Sequence, residues 1–131
     1  MTATNPALAR IIQVAPSQPE DAALQKAVEV LQNGGVIALP TDTLYGLACV
    51  YGDKQGVDRI QTMRGFNRAA RPLTFLLPDL GELPKYAVVG ESAYAVLRKI
   101  FPGPYCAELT ANPSVPEPFI HDDRQTICVR V

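Results

Sequence analysis

The chain has 131 residues, 47% hydrophobic and 19% charged, which fits one packed domain, leaves no room for a second and excludes disorder along the whole length. Twelve Lys plus Arg oppose thirteen Asp plus Glu, a formal charge of −1 that argues against a uniformly basic nucleic-acid-coating surface but allows a local basic cleft. Three widely spaced cysteines, Cys49, Cys106 and Cys128, each lie in an apolar strand-like run and predict buried, reduced thiols rather than a disulfide framework or a zinc cluster.

The opening "MTATNPALARIIQVAPSQPED" has no basic region followed by a signal-like apolar segment, and no run approaches the roughly 18 to 20 apolar residues of a spanning helix. A soluble, cytoplasmic protein with no membrane contact is the expectation. Ala9 to Val14 reads as a short strand bounded by Pro16 and Pro19. Ser17 and Glu20 have capping-box spacing, and "DAALQKAVEVLQ" then places Leu24, Ala27, Val28 and Leu31 on one stripe of an amphipathic helix. Asn33, Gly34 and Gly35 stop it. Val36 to Leu39 is an apolar strand ended by Pro40, and after Thr41, Asp42 and Thr43 a second strand-like run, "LYGLACVY", leads to a turn at Gly52 and Asp53.

"KQGVDRIQTM" carries Val57, Ile60 and Met63 at helical spacing, and "RGFNRAARPL" interrupts it. Leu73 to Leu77 is a further strand, "PDLGELPKY" a short helix, and Glu91 to Ile100 a helix ended by "FPGP". "YCAELTA" alternates weakly like a half-exposed strand, "NPSVPEPFIHDDR" is a proline-rich loop, and "QTICVRV" is a last strand. Strands alternating with helices indicate an α/β fold, with α+β as the alternative label. Two strand-like runs separated by one short break within Val36 to Tyr51 make a mixed sheet the expectation.

Three stretches carry candidate chemistry. The polar break leaves amides and the hydroxyls of Thr41 and Thr43 at a strand end, where α/β sheets place ligand pockets, and Asp42 can accept from neighbouring amides or a ligand ammonium. The same residues also suit a plain capped turn. Tyr45 can pack in a core or wall a pocket, and Gly46 permits close backbone approach. Arg59, Arg64, Arg68 and Arg71 cluster around a loop suited to phosphate oxygens of a nucleotide triphosphate or an RNA backbone, although neither GxxxxGK[ST] nor GxGxxG occurs. A solvated basic loop is the plainer account of that cluster. His121, with Asp122, Asp123 and Arg124, reads as a surface loop, and nothing points to covalent catalysis.

"GGVIALPTDTLYGLAC" strongly resembles the signature of the YrdC-like family, which includes threonylcarbamoyl-adenylate synthases. "FPGPY" looks like the family's PGP element and "TICVRV" like its GVR-containing strand; the match runs in order from Ala22 to the chain end. The resemblance implies an open, twisted α/β sheet with flanking helices around a concave, positively charged cavity. Family enzymes combine L-threonine, bicarbonate and ATP, with Mg²⁺, to give threonylcarbamoyl-AMP and pyrophosphate, and a separate system passes the threonylcarbamoyl group to tRNA. By position, Thr41, Thr43 and Tyr45 match the segment lining the threonine side. Arg64, Arg71 and Arg130 match the basic residues that hold phosphates, a carboxylate or the adenylate by charge-assisted bonds. No catalytic side chain and no protein metal ligand is implied, since such a site works by proximity and by stabilising negative charge.

Phe66 and Asn67 replace a basic residue and a proline of the family's arginine or lysine segment, and the spacing from Arg64 to Arg71 is one residue longer. These departures resemble the YciO branch. The serine and asparagine segment that follows the last strand in the family does not occur before Val131, so the resemblance implies a single domain over 1–131 shortened at its C-terminus. An uncovered strand edge there would favour a homodimer, and the arginine cluster a tRNA or double-stranded RNA contact.

Overall fold

The computed structural model describes residues 9–15, 17–65, 73–121 and 123–131. Helix α1, Asp21–Gln32, starts on the carbonyl of Glu20, which accepts from the amides of Ala23 and Leu24 at 2.9 and 3.1 Å. Glu20 is therefore the N-cap, with no side-chain cap bond, and the Ser17–Glu20 capping box does not form. Ser17 lies three residues too early to reach the first free amides of this helix. At the other end the expected stop is present: Gly34 takes φ 73°, and Asn33 Nδ2 donates to the Glu29 carbonyl at 2.7 Å.

The stripe on α1 is only partly covered. Ala23 is its buried residue, while Leu24 and Val28 stay 49% and 47% exposed. No strand forms over 9–15, where Ile11 is exposed and no neighbouring strand supplies a ladder. An apolar pair without alternation and without a partner strand has no reason to stay extended.

β1, Ile37–Leu39, and β2, Gly46–Ala48, pair antiparallel with Ala38 opposite Leu47. Their connection, Pro40 to Tyr45, is the polar break of the sequence. α2, Lys54–Arg64, buries Val57 and Ile60 and ends on Gly65 at φ 66°. A mixed four-stranded sheet follows in the order β3-β6-β5-β4, comprising β3 (Thr74–Leu76), β4 (Ala87–Val88), β5 (Ala107–Ala111) and β6 (Thr126–Arg130). β6 runs parallel to β3 and antiparallel to β5, which pairs antiparallel with β4. The two-residue β4 is too short to show a period and was not legible as a strand. α3, Glu91–Ile100, has the expected bounds.

Alternation along the strands gives this sheet two unlike faces. Phe75, Leu77, Ile127 and Val129 point into the core with Val57, Leu83, Leu97 and Phe101. Val115 and Phe119, from the proline-rich loop, close the same core. Thr74, Cys106, Glu108, Thr126, Cys128 and Arg130 occupy the opposite face, which the registers Thr74 to Cys128 and Glu108 to Cys128 put side by side. All three cysteines are free thiols, yet only Cys49 and Cys128 are half-buried; Cys106 is exposed, because it precedes the first residue of β5 on the open face.

Candidate functional site

The Thr41–Leu44 turn is built around one hydroxyl. Thr41 Oγ1 donates to the Leu44 carbonyl at 2.6 Å and accepts from the amides of Thr43 and Leu44, both at 3.2 Å. Thr41 Oγ1 also lies 3.2 Å from Thr43 Oγ1. Thr43 Oγ1 in turn accepts from Arg130 Nη1 at 3.1 Å, and Arg130 Nη2 donates to Asp42 Oδ1 in a salt bridge. A continuous chain thus runs from the guanidinium through Thr43 and Thr41 to the Leu44 carbonyl. Thr41 is consumed in shaping the turn, and Thr43 keeps one acceptor position.

Between β2 and the edge strand β3 lies a cavity of about 610 Å³. Thr41, Tyr45 and Gly46 line its hairpin side, and Leu73 to Leu77, Cys106 and Arg130 its sheet side. Arg64, the last residue of α2, also lines it, so the two charged lining residues among the described residues are both arginines. Tyr45 is 81% exposed beside this opening. Arg59, on an exposed part of α2, is not in the lining, and Arg68 and Arg71 lie outside the described residues. The structure therefore brings Thr41, Tyr45, Arg64 and Arg130 around one space, with Thr43 outside the lining but bonded to Arg130.

The far wall is aromatic. Tyr51 packs against Phe75, Tyr86 and Phe119 with ring centroids 5.4, 5.3 and 5.1 Å away. Burial raises the Tyr51 hydroxyl pKa, with Tyr86 adding to it. Sequence reading missed this wall because Tyr51, Tyr86 and Phe119 sit at ends of runs or in loops, where periodicity carries no signal. Cys49 faces Asp53 and α2, and burial followed by the nearby carboxylate pushes its thiol up.

On the open sheet face Glu108 accepts from Thr126 Oγ1 at 2.6 Å and from Arg124 Nη1 at 3.1 and 3.3 Å. The Thr126 bond and then Arg124 hold its carboxyl below its usual range. His121 is half-buried rather than a loose surface residue: its amide donates to the Thr126 carbonyl at 2.8 Å, and its carbonyl closes the following turn. Among the described residues no group of three or more His, Cys, Asp or Glu is placed to hold a metal ion. Mg²⁺ commonly arrives on substrate phosphates rather than in an all-protein cage. Among the described residues no helix is long and apolar enough to cross a membrane.

Comparison with known proteins gives a consistent picture. The Sua5_yciO_yrdC family model, with the description "Telomere recombination", matches residues 29–131. A Haemophilus influenzae protein is 37% identical over 124 residues, covering 95% of this chain and 59% of its own length. Escherichia coli YciO is 32% identical over 124 residues, 95% of this chain and 60% of its own. A putative threonylcarbamoyl-AMP synthase of Methanocaldococcus jannaschii is 31% identical over 99 residues, 71% of this chain and 46% of its own. The chain spans about three fifths of the length of the first two curated relatives. The crystal structure of E. coli YciO superposes with a TM-score of 0.81 at 33% identity, over 87% of this chain and 55% of that one. P. abyssi Sua5 complexed with L-threonine superposes with a TM-score of 0.78 at 26% identity, over 87% of this chain and 33% of that one.

Proposed function

This chain belongs to the Sua5/YciO/YrdC family, and we propose from that premise that its cavity binds L-threonine and ATP, in a role related to threonylcarbamoyl-AMP synthesis for tRNA modification. One observation carries the reading: the Asp42–Thr43 turn and Arg130 meet beside a cavity that also takes in Tyr45 and Arg64. An amino acid needs an acceptor for its ammonium and a donor for its carboxylate within one span. Asp42, with its half-exposed carboxylate, and the remaining acceptor position of Thr43 supply the first; N–H groups of Arg130 outside the two bonds above supply the second.

A triphosphate would lie toward Arg64, with Arg71 as its further expected partner, and its adenine would have the exposed Tyr45 ring as a stacking surface. Mg²⁺ would enter on those phosphates. Bicarbonate is the third reactant in this reading, and tRNA the eventual recipient. The L-threonine complex of P. abyssi Sua5, a protein of the same fold, supports the choice of amino acid.

Isothermal titration with L-threonine and ATP tests the proposal. Both should bind, and Arg130→Ala should weaken L-threonine by about ten- to a hundredfold, the loss of a hydrogen bond to a charged group. Failure of both ligands to bind at millimolar concentration, under conditions where E. coli YciO or another longer relative binds them, would overturn it.

A further inference from the structure

Cys106 and Cys128 take no part in the site just described, although Cys106 lines its cavity. The register pairs Glu108 with Cys128, so Cys106, two residues earlier, is the diagonal neighbour of Cys128 on the same face. After burial, the nearby Cys106 raises the Cys128 thiol, and Cys106 Sγ lies 3.9 Å from Thr74 Oγ1 on β3, the strand that flanks β6 on its other side. Cys106 is exposed and Cys128 half-buried. We propose that Cys106 is a site of covalent modification by low-molecular-weight disulfides of the glutathione class, and that Cys128 resolves the adduct into a reversible intramolecular disulfide.

The exchange balances. The Cys106 thiolate attacks one sulfur of oxidised glutathione, the S–S bond breaks, and one glutathione thiolate leaves. Cys128, giving up its proton to water, then attacks the Cys106 sulfur and expels the second glutathione. The protein loses two hydrogens and two electrons, and one oxidised glutathione becomes two reduced molecules. Access fixes the order, since the exposed thiol meets the disulfide first.

Diagonal residues in a ladder stand about 7–8 Å apart between Cα atoms, somewhat beyond the usual disulfide span of about 4.4–6.8 Å. Cys106 can make up the difference because it precedes β5 and follows Gly103, Pro104 and Tyr105, outside the ladder that holds Cys128. Closing the bond would draw Cys106 away from Thr74 and shift the cavity wall beside Arg130. Cys49 lines the same cavity but sits after β2, beside Gly56 of α2 and outside the four-stranded sheet, and serves as an internal control.

The test incubates the chain with oxidised glutathione, quenches with acid, alkylates the remaining thiols and maps peptides by mass. The expected result is a Cys106–Cys128 crosslink that dithiothreitol reverses, with Cys49 alkylated. Cys128→Ser should instead accumulate one glutathione on Cys106. The proposal is overturned if the native chain shows no crosslink under conditions that load Cys106 in the Cys128→Ser variant. It is equally overturned if neither chain is modified, or if the bond formed involves Cys49.

Discussion

Asp42 and Arg130, 88 positions apart, form a salt bridge that fastens the β1–β2 turn to β6, one of the two inner strands of the four-stranded sheet. The Arg130 side chain is 19% exposed and the Asp42 side chain 45%, so the pair lies between a surface bridge and a buried one. Surface pairs contribute about 0–1 kcal/mol, whereas breaking one side of a buried pair costs about 3–5 kcal/mol.

Asp42→Asn should accordingly destabilise the fold by about 1–2 kcal/mol, because a partly desolvated guanidinium keeps its charge and loses its partner. The double variant Asp42→Asn/Arg130→Met should cost less than the two single changes added together. Urea unfolding of the four proteins measures this coupling. Strictly additive losses would mean the bridge does not hold the turn.

Much of this geometry was legible in advance, for identifiable reasons. Helices α2 and α3 carry apolar residues at intervals of three and four, and β6 alternates cleanly, so their positions followed from periodicity. The Thr41–Thr43 break marked a turn whose hydroxyls and amides sit at a strand end. What the sequence concealed was tertiary. Nothing local tells that Asp42 finds Arg130, that Leu24 and Val28 remain half-exposed, or that Cys106 lies on an open face while Ala107 turns inward. The segment over 9–15 misled because two isoleucines resemble a strand until a partner strand is required.

Gly56 lies close against Cys49, just past the end of β2. A Cβ there would stand 2.6 Å from Asp53 Oδ2 and 2.6 Å from Cys49 Cβ, both close to the α2 start. Gly56→Ala should therefore destabilise the protein by about 1–3 kcal/mol despite alanine's better helix propensity, since overpacking outweighs it. Gly90, the N-cap of α3, meets nothing within 4 Å, so Gly90→Ala should lose only the cap preference and destabilise less than Gly56→Ala in thermal melts of the two variants. A stabilised Gly56→Ala would show that α2 has room to move outward.

The Glu108 cluster makes an acid-dependent contribution of definite sign. Its carboxyl is held below the usual value of 4.5 by the Thr126 hydroxyl and by Arg124. The ionised folded form is favoured, so the contribution is fully present above about pH 4.5 and is lost as pH falls through the depressed folded value. Unfolding midpoints followed from neutral pH to pH 3 should fall less steeply in Glu108→Gln than in the parent chain. Identical slopes would remove Glu108 from the acid response.

The three thiols should separate by reactivity without any oxidant present. Burial, then the neighbouring Cys106, pushes the Cys128 thiol up to about 11, and burial beside Asp53 raises Cys49. The thiolate is the nucleophile, so at pH 7 a thiol of pKa about 11 is reactive in only about one molecule in ten thousand. Cys106, exposed on the open face, should be alkylated first by iodoacetamide, with Cys49 and Cys128 lagging in the folded chain. Raising the pH toward 11 should accelerate Cys128, and unfolding in urea should bring all three rates together, because both the burial and the Cys106 contact disappear. Time-resolved peptide mapping reads each site separately. Cys128 reacting as fast as Cys106 in the native chain at pH 7 would mean that β6 opens on the timescale of labelling, and that the sheet face bearing Arg130 is not the fixed wall drawn from its register.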